Sequence, residues 1–426
     1  MASTGLSSSA AIADAESAHP SEAVVGIQSY NDADTIGGVV RSAREGIRRH
    51  ARSGCVILAD GASTDRTVSL AREVAGEEYA VVAVDYRRPE FDPLKLPYHG
   101  RPGRAAAMRA VLRAARDRGA KACVMLDARL TNLRPEAVER LVEPVLSGRM
   151  DYVSAHYVRH PYEGALTKSV IYPVFRALYG ARLRQPAALE FACSAPLLNH
   201  FLEQRFWDVE EAPTGIDMWL AAAAVTGKYR VGEALLGVRT AAVRPVAPDL
   251  STALGQLVGA LMSDVELRAN LWHRVRGSVP VPVVGQGDGS ALAPAPDIDP
   301  EKLRESFRLG YAALRDVWAA VVPPRTIIEL KKVADAPPDR FRIPDDLWAR
   351  IIYDFVLGHH LKAMPREHLL GALVPLYLGW LASFMLEPDT DDPATAEHRI
   401  DRLGLAFEAQ KPYLISRWRW PERFRS

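Results

Sequence analysis

The stretch Pro97-Tyr98-His99-Gly100-Arg101-Pro102-Gly103-Arg104 leads into an alanine- and arginine-rich helical run and then into Cys123-Val124-Met125-Leu126-Asp127-Ala128-Arg129. A glycine-punctuated basic loop opens a helix, and the apolar strand after it ends on an acidic residue. This is the layout of a phosphate site in an α/β sheet: backbone N–H groups at a helix N-terminus carry partial positive charge, and a nearby guanidinium adds a forked donor. In open sheets ligands collect outside the carboxyl ends of the strands, which is where this order puts Asp127. A capped turn with solvated arginines has the same pattern, so the loop alone leaves both readings open.

Working outward, the same alternation recurs. Glu22 to Ser29 is an apolar run that breaks at Tyr30-Asn31-Asp32, and apolar residues at Ile36, Val39, Val40, Ala43 and Ile47 then follow helical spacing. Cys55 to Asp60 forms a second apolar run, with Gly61-Ala62-Ser63-Thr64-Asp65 as the turn into the next helix. Ala80 to Tyr86 gives a third strand, Ala105 to Arg116 a helix, Asp151 to Val158 a further strand, and Ala165 to Tyr179 an amphipathic helix. Thr214-Gly215-Ile216-Asp217 begins an alanine-rich helix, and Lys228 to Val238 is the last strand expected. Strands and helices alternating in this way argue for a sheet covered on both faces.

The expected organisation is a tail over 1–22, an α/β domain over 23–278, a Pro- and Gly-rich linker over 279–300 and a helical region over 301–426. Aromatic residues at helical spacing, such as Phe307, Tyr311 and Trp318, are read as core packing, not as a stacking surface for bases. Leu369 to Leu386 is uncharged and touches the lower length limit for a membrane span, but Pro375 and its acidic and basic flanks favour a buried helix.

With 426 residues the chain can bury a full core, and a net charge of +1 gives no bulk attraction to nucleic acid or membrane. The three cysteines, Cys55, Cys123 and Cys193, form no CxxC pair and read as reduced thiols of a cytoplasmic protein. His156, His160, His359 and His360 lack partners at metal-ligand spacing. No nucleophile elbow and no Walker loop is present.

Read together, several motifs carry a resemblance: GIQSYNDADTIGGVV, DGASTD, PYHGRPGR, LDARLTNLRPE, YVRHPYEGALTKSVIYPVFRALYGARLRQP, TGIDMW, LLGVRT and FEAQKPYLISRW. From about Val24 to Trp420 the chain resembles the retaining GT-A glycosyltransferases that make compatible solutes, the glucosylglycerate synthase group. That likeness implies a Rossmann-like mixed sheet with a helical C-terminal region. It also implies a nucleotide-diphospho-sugar donor, a small acid such as D-glycerate as acceptor, a Mg or Mn ion, and pairing into a homodimer. Carried over by position, Ser29, Tyr30, Asn31 and Asp60 look like nucleotide-binding groups, and Gly103, Arg104 and Asp127 like the diphosphate and metal region. Thr167 looks like an acceptor contact and Asp217 like a group near the sugar or acceptor hydroxyls.

The departures from the family pattern fall at the chemistry. Arg129 stands where the family has a second metal-binding aspartate, Ala241 where it has a histidine, Arg104 where it has lysine and Gln28 where it has proline. Its glycine-rich stretch reads Gln185-Pro186-Ala187-Ala188-Leu189-Glu190 here. Two readings follow. In one, the chain is an active, metal-independent transferase in which Arg129 and Arg104 supply the positive charge and Glu190 or Asp217 orients the acceptor hydroxyl. In the other, it is an inactive relative acting as a binding or regulatory partner.

Overall fold

The computed structural model describes residues 20–76, 81–83, 103–208, 212–242, 250–285 and 296–420. The N-terminal part alternates β1 (Ala23–Ser29), α1 (Ala33–Arg48), β2 (Gly54–Asp60), α2 (Thr67–Ala75) and β3 (Val81–Ala83). It continues with α3 (Arg104–Asp117), β4 (Ala122–Asp127), α4 (Pro135–Leu146) and β5 (Tyr152–Val158). A π-helical turn over Thr167–Ile171 then runs into α5 (Tyr172–Tyr179), followed by β6 (Ala181–Arg182), β7 (Phe191–Ser194) and α6 (Ala195–Leu202). After α7 (Ala212–Thr226) and β8 (Val231–Val238) come α8 (Leu250–Leu267), α9 (Ala269–Trp272), β9 (Val279–Pro280) and β10 (Val283–Val284). Five helices finish the chain: α10 (Pro300–Ala319), α11 (Pro324–Ala334), α12 (Asp345–His360), α13 (Arg366–Met385) and α14 (Pro393–Arg419).

Eight strands form one mixed sheet in the order β10-β8-β5-β7-β4-β1-β2-β3, with β7 antiparallel to β4 and β5. Side chains of a strand alternate between faces, so each strand feeds two cores. Ala23, Val25 and Ile27 of β1 face the layer of α1, α2 and α4, whereas Val24 joins the layer that holds α3, α5, α7 and the C-terminal helices. The result is an α/β Rossmann-like half with a largely helical region packed on one face.

That packing is polar as well as apolar. Trp348 donates to the Ser169 carbonyl at 2.9 Å, and Lys411 donates to the carbonyls of Ala177 and Val275, both at 2.9 Å. Arg176 on α5 reaches Glu408 on α14 at 2.5 Å. Helix α13 is long and apolar enough to cross a membrane, and 67% of its apolar window is buried inside the protein, against α8, α10 and α12.

The structure departs from expectation at two places. The linker expected over 279–300 begins with β9 and β10, and β10 adds an edge strand to the main sheet beside β8. Residues 165–179 are helical as expected, with two α-helical residues leading into the π-turn before α5. The antiparallel strand β7 was not expected at all; it is four residues long and too short to give a periodic signal. Of the third strand expected over 80–86, residues 80 and 84–86 lie outside the described residues, as do Pro97 to Pro102 of the basic loop.

Candidate functional site

The parallel register lines up the candidate residues. Ser29 lies opposite Asp60 across β1 and β2, and Gln28 lies opposite Asp127 across β1 and β4. All four stand at the carboxyl edge of the sheet, the side on which ligands of open α/β sheets collect. Because β7 runs the other way and Phe191 pairs with Met125, Glu190 enters the same edge from the start of its strand.

Around β1 and β2 the turns are tied to each other. The Ser29 hydroxyl donates to Asp60 Oδ1 at 2.8 Å, and Ser63 donates to Asp60 through its backbone N–H at 2.7 Å and its hydroxyl at 2.6 Å. Asn31 adopts φ +52°, a conformation that asparagine tolerates better than most residues. Its side-chain oxygen accepts from the Thr64 N–H at 2.8 Å, and its own N–H donates to the Ser63 hydroxyl at 2.9 Å. Asp32 accepts from the Tyr30 N–H at 2.9 Å. Asp60 is buried while Asn31 is exposed and Tyr30 half-buried, so the paired turns form a rigid rim with a solvent-facing lip.

Arg104 has partners other than the diphosphate expected. Gly103, at φ +72°, turns the chain into α3, and the Arg104 side chain points into the protein and is 1% exposed. Its Nε donates to Asp217 Oδ2 at 2.9 Å, Nη2 to Asp217 Oδ1 at 2.5 Å, Nη1 to Gln28 Oε1 at 2.9 Å and Nη2 to the Leu189 carbonyl at 3.0 Å. Asp217 is equally buried, so the two charges neutralise each other away from the cleft.

Asp127 and Arg129 do come together. The Arg129 guanidinium grips Asp127 Oδ2 through Nη2 at 2.9 Å and Nε at 3.2 Å, while the Arg129 backbone N–H donates to Oδ1 at 3.0 Å. A second guanidinium, from Arg239 at the end of β8, donates to Asp127 Oδ2 at 2.8 Å and to Glu190 Oε1 at 3.2 Å. Arg239 also lies over the ring of Tyr157, 6.0 Å from its centroid. Burial on its own would lower the Arg239 pKa, but the carboxylates of Glu190 and Asp127 together raise it, so the guanidinium stays charged.

Ala241 forms an isolated antiparallel bridge with Leu130, so it stands beside the Asp127-Arg129 turn. A divalent ion here would need oxygen-rich ligands. The donor set does not provide them: Asp127 is engaged by two guanidinia, and positions 129 and 241 offer an arginine and an alanine. Among the described residues no group of three His, Cys, Asp or Glu could hold a metal ion. The residues do not fit the ion that the resemblance implies.

Further along the same edge, Arg159 follows β5 and makes no hydrogen bond or ion pair among the described residues, and its Nε is buried without a partner. Burial, reinforced by the charge of Arg239, lowers its pKa against the pull of Glu163 and Glu190. Lys168 fastens the turn after it by donating to the carbonyls of His160 and Pro161 at 3.1 and 2.8 Å, and burial pushes its ammonium pKa down to about 8. Thr167 opens the neighbouring π-turn half-buried, and no side-chain hydrogen bond among the described residues joins it to the other candidates.

Arg159 and Arg239 were missed in the sequence. Both lie inside motifs that carried the resemblance, YVRHPYEG and LLGVRT, each one residue after a strand end, and that position was the available signal. Two of the altered positions bond each other, Gln28 and Arg104; Leu189 reaches Arg104 through its main-chain carbonyl, and Arg129 bonds the unaltered Asp127, which Arg239 links to Glu190.

Residues 24–206 match the model of the glycosyl transferase family 2. Among solved structures, glucosyl-3-phosphoglycerate synthase from Mycobacterium tuberculosis, in complex with Mn2+, uridine diphosphate and glucosyl-3-phosphoglycerate, is 25% identical. That match covers 57% of this chain and 80% of the other, with a TM-score of 0.42. The same synthase with UDP-glucose and glycerol 3-phosphate is 24% identical, covering 61% and 86% at a TM-score of 0.42. A mycobacterial protein is 26% identical, covering 57% and 74% at a TM-score of 0.42. No curated protein matches the chain. The N-terminal mixed sheet followed by a helical region is a GT-A-like architecture.

Proposed function

We propose that the chain is a glycosyltransferase that moves a hexose from a nucleotide-diphospho-sugar to a small carboxylic acid such as D-glycerate, with retention at the anomeric carbon and without a metal ion. The observation that carries this reading is that the altered charged residues are paired: Arg104, where the likeness implies lysine, bonds Gln28 and Asp217, and Arg129 bonds Asp127 at the carboxyl edge of the sheet. Unconstrained drift in a disused pocket has no reason to leave its charges matched. The match to glycosyl transferase family 2 over residues 24–206 supports the same class.

In this reading Ser29, Tyr30, Asn31 and Asp60 form the rim for the base and ribose, and Arg129 stands beside the departing diphosphate. The bond between the anomeric carbon and the donor's phosphate oxygen breaks, and its electron pair stays on the diphosphate. The acceptor's hydroxyl oxygen bonds to the same face of that carbon, and its proton passes to the released phosphate oxygen. A fixed guanidinium stabilises the charge that develops on the leaving group, most strongly where water is sparse. Arg159, which makes no hydrogen bond or ion pair among the described residues, suits the acceptor's acid group, and Thr167 lies on the adjoining turn. Asp217 is held by the buried Arg104 and Glu190 by Arg239, and of the two it is Glu190 whose partner stays partly open, beside Asp127.

The test is incubation with UDP-, GDP- and ADP-glucose and D-glycerate in EDTA, with the product's anomeric configuration read by NMR. A product with the donor's configuration is expected. Turnover that EDTA abolishes contradicts the metal-free part. Donor binding with no transfer to any small acid points instead to the inactive relative that binds and regulates.

A further inference from the structure

We infer that Arg239 is the second half of a two-guanidinium clamp for the ligand's diphosphate, and that Asp127 is a positioning residue for arginines instead of a ligand for a cation. This rests on the reading of the site as one for a nucleoside diphosphate, and it reverses the part that a carboxylate plays at the family's metal position.

The geometry supports the reversal atom by atom. Asp127 is fully buried and its Oδ2 accepts from Arg129 Nη2 and Arg239 Nη2, at 2.9 and 2.8 Å. Two guanidinia would repel each other at this distance, and the shared carboxylate is what keeps them adjacent. Glu190, 1% exposed, accepts from the same Arg239 Nη2 at 3.2 Å. Each arginine keeps donors in reserve. No hydrogen bond among the described residues uses Arg129 Nη1 or Arg239 Nε and Nη1, and both side chains remain partly open, at 15% and 16% exposure. A guanidinium is a rigid fork of five N–H donors, so the carboxylates that hold Nε and Nη2 of Arg129, and Nη2 of Arg239, set the direction of the donors left over. Two such edges at the carboxyl end of β4 and β8 suit the oxygens of a diphosphate, and they are ordered before any ligand arrives.

The reversal has a diagnostic sign. At a metal site, neutralising the carboxylate destroys anion binding because the bridging cation leaves. At a guanidinium clamp, Asp127→Asn removes a negative charge that competes with the ligand for the same two arginines.

Calorimetric titration of the full chain with inorganic pyrophosphate and with uridine diphosphate, in EDTA and again with Mn2+, tests this. Pyrophosphate binding is expected without metal, weakened by at least about tenfold in Arg239→Ala and not restored in Arg239→Lys, because one charge-assisted hydrogen bond is worth that much and a point charge lacks the fork. Asp127→Asn, whose amide oxygen still accepts from both Nη2 groups while the competing charge is gone, is expected to bind pyrophosphate as tightly as the wild type or more tightly. An affinity unchanged within about twofold in Arg239→Ala, or Mn2+-dependent binding that Asp127→Asn abolishes, overturns the clamp. Arg239 stands at a strand end, so its variants remain a test if Asp127→Asn fails to fold. Metal-free pyrophosphate binding with the expected losses, but no binding of any nucleoside diphosphate, keeps the clamp and removes the nucleotide reading.

Discussion

Arg104 and Asp217, 113 positions apart in sequence, form a buried ion pair in which Nε lies 2.9 Å from Oδ2 and Nη2 2.5 Å from Oδ1. The pair ties the start of α3 to α7, and through Gln28 and the Leu189 carbonyl it reaches β1 and the approach to β7. Removing one member leaves the other charged and unpaired in the interior. Arg104→Ala is expected to cost about 3–5 kcal/mol, and the double change Arg104→Met with Asp217→Leu to recover part of that loss. Urea unfolding of the three proteins checks the order.

Packing beneath the site gives a second expectation. A Cβ added at Gly26, in the middle of β1, would collide with Val111 on α3 and with the Met125 sulfur on β4. Gly26→Ala is expected to destabilise the fold by about 1–3 kcal/mol, since Val111 is a short, stiff β-branched side chain on a packed helix and cannot swing aside. Thermal unfolding measures it directly.

The helical region carries its own pH dependence. Asp354 on α12 accepts from the Tyr413 hydroxyl at 2.8 and 2.9 Å and faces Arg417 on α14. Burial pushes its carboxyl up from 3.8 to about 7, against the pull of Arg417, the Tyr413 hydrogen bond and Arg350. A carboxyl raised in this way binds a proton in the native state that the unfolded chain has already released. Stability therefore falls as pH climbs from 3.8 to about 7 and levels off above that range. Asp354→Asn is expected to flatten this part of the curve, read as the melting temperature of both proteins across that window.

On the acceptor side, Arg159→Ala is expected to raise the acceptor KM by roughly tenfold or more while leaving donor affinity unchanged, as loss of a charge-assisted contact with a carboxylate would. Lys168→Met, which releases the turn held through the His160 and Pro161 carbonyls, is expected to act in the same direction and more weakly. Steady-state kinetics with each substrate varied in turn separates the two terms.

How much of this was legible depended on whether the signal was local. The strands β1, β2 and β4 are continuous apolar runs that end in Ser29, Asp60 and Asp127, and their shared edge follows from parallel pairing. The turn chemistry around Asn31 and Asp60 was equally local. Two-residue and four-residue strands were not legible: β7 hides between an alanine-rich loop and a helix, and β10 lies in a Pro- and Gly-rich segment. Because β7 was missed, nothing in the sequence placed Glu190 beside Asp127. The arginines were visible as residues but their partners were not. Arg104 could be placed at the head of a helix, yet whether its side chain met a ligand or Asp217 depended on tertiary packing between distant segments. Arg239 sat within a recognised motif, and only the pairing of β8 with β5, together with the bridge between Leu130 and Ala241, brings it to Asp127.

The central claim is that this edge of the sheet recognises a nucleotide sugar through fixed guanidinia without an ion. Its most direct test is calorimetric titration of the wild-type chain with UDP-, GDP- and ADP-glucose, first in EDTA and then with Mn2+. The account predicts that at least one donor binds with the same affinity in both conditions and loses roughly tenfold or more in Arg129→Ala. Binding that appears only when Mn2+ is supplied, or that Arg129→Ala leaves untouched, would contradict it.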